Sequence, residues 1–84
     1  MLYFAVFIES MEDYTINVTK IEELQNTSNT GELEKIFTRA KSAVVNGAKV
    51  LLVRQEANGT KNKFDELDTL DDLEKYRKQV FKYL

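Results

Sequence analysis

The 84-residue sequence predicts a single α+β domain, in which a small mixed or antiparallel four-stranded sheet carries two helices. Three observations predict it. Two short runs are apolar at every position, as in buried strands. Two longer segments repeat apolar residues with the helical period. Polar turn residues separate these segments and give the order ββαββα. A chain of this length is sufficient for one domain and not for two.

Both apolar runs have two hydrophobic faces. Residues 2–9 are predicted as the first strand, with Leu2 and Phe4 on one face and Tyr3 and Phe7 on the other. Residues 50–53 show the same property. Successive side chains of a strand point to opposite faces. Either the helices cover both faces of the sheet, or part of one face binds a partner.

Two further strands are predicted to complete the sheet. Residues 14–19 alternate apolar and polar side chains, and the short polar stretch 10–13 predicts a hairpin with the first strand. Residues 20–24 fit either a helical turn or an extension of the strand, and residues 25–30 are predicted as a polar loop. The dipeptide Asn58-Gly59 favours a type I′ turn, from which residues 60–64 return as a polar edge strand.

The first helix has clear start and stop signals. Asn29 is a predicted N-cap, and Glu32 stands where a capping box places its acidic residue. Gly47 fits the position just after the helix, where a left-handed conformation ends it. One apolar stripe runs between them, formed by Leu33, Ile36, Phe37, Ala40, Ala43 and Val44.

The second helix is predicted to begin near Thr69. The residues expected to face the core are Leu70, Leu73, Tyr76, Val80 and Leu84. Phe81 and Tyr83 are expected at its flanks.

Composition excludes several kinds of chemistry. The chain has no cysteine and no histidine, which removes disulfides, most transition-metal sites, and the Cys–His and Ser–His–Asp arrangements. We therefore predict no enzymatic activity, no metal and no cofactor. The net charge of −2 gives no general attraction to nucleic acid or to an anionic membrane. Neither a signal peptide nor a membrane span is evident, so the predicted location is cytoplasmic.

A cluster of carboxylates precedes and begins the second helix: Asp65, Glu66, Asp68, Asp71 and Asp72. Acidic residues at a helix start interact favourably with the helix dipole, which is the structural explanation. Mg²⁺ or Ca²⁺ binding is an alternative, although the spacing does not fit an EF-hand. The functional hypothesis is that the protein binds its partner either through this acidic cluster, which suits a basic partner, or through the apolar sheet face that carries Tyr3 and Phe7.

Basic residues alternate with aromatic residues on the second helix. Together with the preceding hairpin they form a predicted alternative surface for nucleic acid: Arg54, Lys61, Lys63, Lys75, Arg77, Lys78 and Lys82. Such a surface can neutralise phosphates and stack bases. The structural explanation is a solvated helix face with cations near its C-terminal end.

In length and composition the chain resembles the small single-domain regulatory proteins of phages and mobile elements, although no motif carries that resemblance. The sequence predicts a non-enzymatic protein that binds another macromolecule, as an inhibitor, an adaptor or an antitoxin-like modulator. The expected partner is another protein or a second copy of the chain in a homodimer. Nucleic-acid binding through the C-terminal helix is the alternative.

Overall fold

The computed structural model describes residues 12–82 and residue 84, and these form an α+β structure with three strands and three helices. In chain order the elements are β1 (Tyr14–Asn17), α1 (Val18–Asn26), α2 (Thr30–Val45), β2 (Val50–Gln55), β3 (Lys61–Leu67) and α3 (Leu70–Phe81). The α+β class is confirmed. The predicted ββαββα order with two helices is wrong over the described residues, where the order is βααββα. The predicted strand at residues 2–9, and its hairpin, lie outside the described residues.

The sheet is mixed, with β2 between β1 and β3. β1 runs parallel to β2, with Ile16 opposite Leu52, and β3 runs antiparallel to β2, with Leu67 opposite Val50. The strand predicted from its apolar run therefore lies between two others, and the polar strand of the second hairpin is at an edge of the three described strands. No helix among the described residues is long and apolar enough to cross a membrane.

For residues 20–24 the sequence allows a helical turn or an extension of the strand, and the structure shows the helical alternative as α1, which extends past these residues at both ends. The alternation of Tyr14, Ile16 and Val18 suggested a strand to residue 19, but the strand ends at Asn17, whose side chain accepts a hydrogen bond from the Thr19 amide and caps the helix. Val18, Ile21 and Leu24 then face the core at helical spacing. Val18 fits both the two-residue period of the strand and the 3.6-residue period of the helix. The alternating pattern therefore predicts a strand that is longer than the one in the structure.

Helix α2 matches its predicted stripe and its predicted end. Leu33, Phe37 and Ala40 are buried. Gly47 has a φ of 90°, its amide donates to the Val44 carbonyl, and the Ala48 amide donates to the Ala43 carbonyl. This is the hydrogen-bond pattern of a Schellman motif.

The start of α2 has only half of the predicted capping box. The Asn29 side chain accepts from the Glu32 amide as expected. The Asn29 amide, however, donates to the Leu24 carbonyl at the end of α1. The Glu32 carboxylate instead contacts Lys35. In a full capping box the Asn29 amide would donate to the Glu32 side chain. Because α1 ends just before α2 begins, the last turn of α1 provides a backbone carbonyl for this amide instead.

The turn between β2 and β3 differs from the predicted type I′. The Gly59 amide donates to the Glu56 carbonyl, the Glu56 amide donates to the Thr60 carbonyl, and Gly59 has a φ of 90° while Asn58 does not have a positive φ. This is a three-residue loop, a β-turn followed by a left-handed glycine.

All three helices pack on one face of the sheet. Their buried residues form one cluster with Ile16, Val50, Leu52 and Leu67, which the strand register places on the same face. Leu51 and Val53 lie on the opposite face and are not part of that cluster. Over the described residues, the helices therefore do not divide between the two faces.

Helix α3 was predicted with too wide an apolar face. Leu73 and Val80 are buried, whereas Leu70 and Leu84 are 45% and 40% exposed. Phe81 packs beside the Phe37 ring, with 6.0 Å between centroids. The predicted flank residue Tyr83 lies outside the described residues.

The Thr69 side chain accepts a hydrogen bond of 3.1 Å from the Asp72 amide and caps α3. Replacing Thr69 with alanine is expected to lower the free energy of unfolding by about 1 kcal/mol, because one helix amide loses its acceptor. Thr69→Ser keeps the acceptor and serves as the control. Urea unfolding gives the free energy of unfolding of both variants. An equal decrease in the two variants would contradict a capping role for Thr69.

Candidate functional site

One cleft of the described structure lies between α2 and α3. Its volume is about 470 Å³, and Phe37, Leu70 and Leu73 provide its apolar wall. Its charged rim is largely paired internally, because Arg77 contacts both Glu34 and Glu74. This groove offers an apolar contact but few unsatisfied polar groups.

A smaller cleft of about 320 Å³ lies between β3 and α3 and is called the acidic cleft here. It is lined by Leu52, Asp65, Glu66, Leu67, Asp72, Lys75, Tyr76 and Gln79. The sheet contributes two leucines and, from β3, the carboxylates of Asp65 and Glu66, and α3 contributes the carboxylate of Asp72. The result is an apolar wall beside a negative rim.

Two carboxylates of the acidic cleft are without a cationic partner. Over the described residues, neither Asp65 nor Asp72 forms an ion pair; Asp65 only accepts from the neighbouring Glu66 amide. Glu66 differs, because hydrogen bonds from Lys63 and Lys49 lower its pKa. The same contact with Glu66 raises the pKa of Lys49. Asp65 and Asp72 are therefore the negative charges available to a ligand.

Lys75 is the one cation in the wall of the acidic cleft. Its ammonium lies 3.2 Å from the Asp71 carboxylate, one turn earlier on α3. Both side chains are more than two-thirds exposed. The ion pair with Asp71 therefore partly offsets the positive charge of Lys75.

Tyr76 carries an unsatisfied hydroxyl. Among the described residues, its oxygen is the one buried side-chain polar atom without a hydrogen-bond partner. Burial, with a smaller contribution from Glu22, raises the pKa of Tyr76 to about 12. The hydroxyl therefore stays protonated at neutral pH. Tyr76 also lines a third cleft, between α1 and α3, together with Glu22 and Gln79. An enclosed hydroxyl without a partner costs free energy.

An exposed arginine on β2 and an exposed phenylalanine on β3 lie close to each other. Arg54 makes two hydrogen bonds with the Glu22 carboxylate, which raise its pKa, and lies 6.0 Å from the centre of the Phe64 ring. Phe64 is the extra residue of a β-bulge, since Leu52 pairs with Asp65 and Val53 with Lys63. The side chain is 55% exposed. Bulges often redirect a side chain at a functional surface.

The structure brings together part of the predicted protein-binding set. Asp65, Glu66 and Asp72 line one cleft, whereas Asp68 and Asp71 do not line it. Tyr3 and Phe7 lie outside the described residues. Sequence reasoning missed Leu52, Tyr76 and Gln79 as members of the same cleft, because their approach depends on how α3 crosses the sheet.

The predicted nucleic-acid surface is largely neutralised by neighbours. Four of its members pair with carboxylates: Arg54 with Glu22, Lys63 with Glu66, Lys75 with Asp71, and Arg77 with Glu34. Lys61 lies on β3, while Lys78 and Lys82 lie on or just after α3. These pairs reduce the positive charge available for phosphates.

No group of three or more carboxylates in the described part of the chain is arranged to hold a metal ion.

Comparison with known proteins returned no relative. No known protein family, no curated protein and no solved structure matches this chain.

Proposed function

We propose that the protein is a non-catalytic binding module that recognises another protein at the acidic cleft. The observation that carries this proposal is the combination of an apolar wall with two carboxylates that have no cationic partner over the described residues. Protein interfaces combine apolar contact with charges that select the partner. An inhibitor or an adaptor works by such contacts alone.

The adjacent surface has the composition of a binding site. Phe64 is exposed, and Arg54 is held in position by Glu22. Aromatic residues and arginine are over-represented at the energetic centres of interfaces. Phe64 immediately precedes the cleft residue Asp65 on β3, which places this pair beside the acidic cleft along the chain.

The charge of the cleft favours a different protein over a second copy. A twofold interface brings the same patch of both subunits together. Two acidic clefts placed face to face would repel each other. Self-association through another surface, such as the sheet face with Leu51 and Val53, would appear as a dimer mass in light scattering and would not depend on the cleft carboxylates.

The test compares three immobilised proteins in a capture experiment from host extract: the unmodified chain, Asp65→Asn/Asp72→Asn, and the control Asp68→Asn/Glu23→Gln. Both variants lose two negative charges, but only the first changes the cleft. We expect the unmodified chain and the control to capture the same protein, and the cleft variant to lose it. Capture that is equal with all three proteins, or absent with all three, contradicts the proposal.

A further inference from the structure

We propose that two copies of the chain pair along the outer edge of β3, so that the described strands of both copies form one continuous sheet. The residues that make this contact, Lys61 and Asp68 above all, do not line the acidic cleft. Three features of β3 carry the proposal: an uncovered edge, an order of charges that is complementary to itself, and a β-bulge that determines the register.

The outer edge of β3 is uncovered. Among the described strands its neighbour is β2 alone, and five of its seven residues, 61–65, are exposed. An edge strand has unpaired N–H and C=O groups along its outer side, and these can pair with a strand of another chain. Seven residues are enough for a complete strand pair.

The charges of β3 change sign along the strand. Lys61 and Lys63 lie in its first half, and Glu66 and Asp68 lie near its end and directly after it. When two copies of β3 run antiparallel, the basic half of each copy lies opposite the acidic half of the other. Opposite charges that face each other across an antiparallel pair are stabilising, and like charges are destabilising. A second copy is therefore a complementary partner for this edge.

The bulge at Phe64 places a lysine and a carboxylate on the same face of the sheet. Lys63 pairs with Val53, and Glu66 pairs with Leu51. Because Val53 and Leu51 are two residues apart on β2, their partners on β3 share one face although they are three residues apart. In a regular strand, residues three apart point to opposite faces.

This shared face determines the register of the two copies. Residues that lie opposite each other in an antiparallel pair have their side chains on the same face. Lys63 of each copy therefore lies opposite Glu66 of the other, and the same register places Lys61 opposite Asp68. The two bulges then lie beside each other at the twofold axis, so neither strand is shifted by its extra residue. Lys63 already contacts Glu66 within one chain, whereas the described residues form no ion pair with Lys61 or Asp68.

Phe64 supplies apolar area at the centre of the pair. Its side chain is 55% exposed in the single chain. In the proposed register the twofold axis passes beside Phe64, so the rings of the two copies are neighbours. Cross-strand aromatic pairs stabilise a sheet, and aromatic residues are common at the energetic centres of interfaces. Pairing therefore removes from water a ring that the single chain leaves exposed.

The lysines of β3 also limit which strands can pair with it. Lysine on an edge strand opposes pairing with unrelated strands, because a neutral or basic strand does not compensate its charge. The acidic half of a second copy does compensate it. Each chain uses this edge once in a twofold pair, so association stops at a dimer.

The first experiment measures the molar mass of the unmodified chain by light scattering at low salt, from micromolar to millimolar concentration. We expect the mass to rise from that of the monomer to that of the dimer and no further. A monomer at every concentration overturns the proposal and leaves this edge to a strand of another protein. Growth beyond the dimer also overturns it, because a closed pair has no second β3 edge.

Two charge reversals locate the contact. Lys61→Glu brings like charges together at both ends of the strand pair, and so does Asp68→Lys. Each variant is expected to weaken the dimer about tenfold. The controls Lys20→Glu and Glu23→Lys make the same changes of charge at exposed positions of α1 and should leave the dimer unchanged. Circular dichroism verifies that every variant is folded.

A mixture of the two charge-reversed variants tests the register itself. In a heterodimer of Lys61→Glu with Asp68→Lys, opposite charges meet again at both ends, because each chain keeps one of the two original residues. The mixture is therefore expected to dimerise as tightly as the unmodified chain, and native mass spectrometry should detect the heterodimer. A dimer that neither reversal weakens, or a mixture that does not recover it, overturns the proposal. Asp65 and Asp72 are unchanged in all of these proteins, so the result is independent of the proposed function.

Discussion

Replacing Leu33 with alanine is expected to lower the free energy of unfolding by about 2–5 kcal/mol. Leu33 is fully buried at the first turns of α2 and belongs to the cluster that joins the helices to the sheet. Its truncation removes apolar contacts and leaves a cavity that the surrounding elements fill only in part. Domains of this size have a total stability on the order of 5–10 kcal/mol, so the variant should be close to unfolding at room temperature.

Leu70→Ala is the matched control, because it removes the same atoms from a leucine that is 45% exposed. The expected loss is below about 1 kcal/mol. Urea unfolding gives the free energy of unfolding of both variants. If this free energy depends on the urea concentration with a similar slope in both, the variants differ in stability and not in the compactness of their unfolded states. Similar losses for the two leucines would contradict the assignment of Leu33 to the centre of the core.

The helix that contains Leu33 shows what sequence patterns can predict. Its cap, stripe and terminal glycine are local signals, since each depends on residues within one or two turns. Asn29, Phe37 and Gly47 all take the positions expected of them. The central position of β2 was also predictable, because a run that is apolar on both sides belongs in the middle of a sheet.

Helix α1 shows where the same reasoning fails. Asn17 ends a strand and caps a helix at once, and Val18 is buried whether it continues the alternation or begins the helical stripe. The two periods coincide over these residues, so tertiary packing decides between them. The hydrogen bond from the Asn29 amide to the Leu24 carbonyl depends on the same helix.

The candidate site could be predicted in its charge but not in its shape. Asp65 and Asp72 were identified as a docking surface from their acidic character. The cleft that they line also needs Leu52 of β2 and Tyr76 and Gln79 of α3, and the packing of α3 on the sheet brings these residues together. The sequence does not predict that the Tyr76 hydroxyl lacks a hydrogen-bond partner. There, Tyr76 is only one member of the apolar stripe of the second helix.

Tyr76→Phe is expected to raise the free energy of unfolding by about 1 kcal/mol, because it removes a buried hydroxyl that has no partner. For a domain of this size, that corresponds to an increase in melting temperature of about 4–8 °C. Most substitutions of a core aromatic residue are destabilising, so a gain identifies the hydroxyl as the cause. Tyr14→Phe, on β1, is the control and should have no comparable effect. A lower melting temperature for Tyr76→Phe would show that the hydroxyl has a partner in solution.

The same residue predicts how stability depends on alkaline pH. The pKa of Tyr76 is about 12 in the folded protein and its ordinary value is 10.0, so the folded state holds the proton more tightly than the unfolded state. Ionisation of Tyr76 therefore leaves the free energy of unfolding unchanged below about pH 10 and lowers it as the pH rises from 10 toward 12, because the unfolded state releases the proton first. Unfolding measured across this range should show a steeper alkaline loss in the unmodified chain than in Tyr76→Phe. The other tyrosines are common to both proteins, so the difference between the two curves isolates Tyr76. Parallel curves would mean that the hydroxyl ionises as easily in the folded chain as in the unfolded one, which is incompatible with its burial between the two clefts.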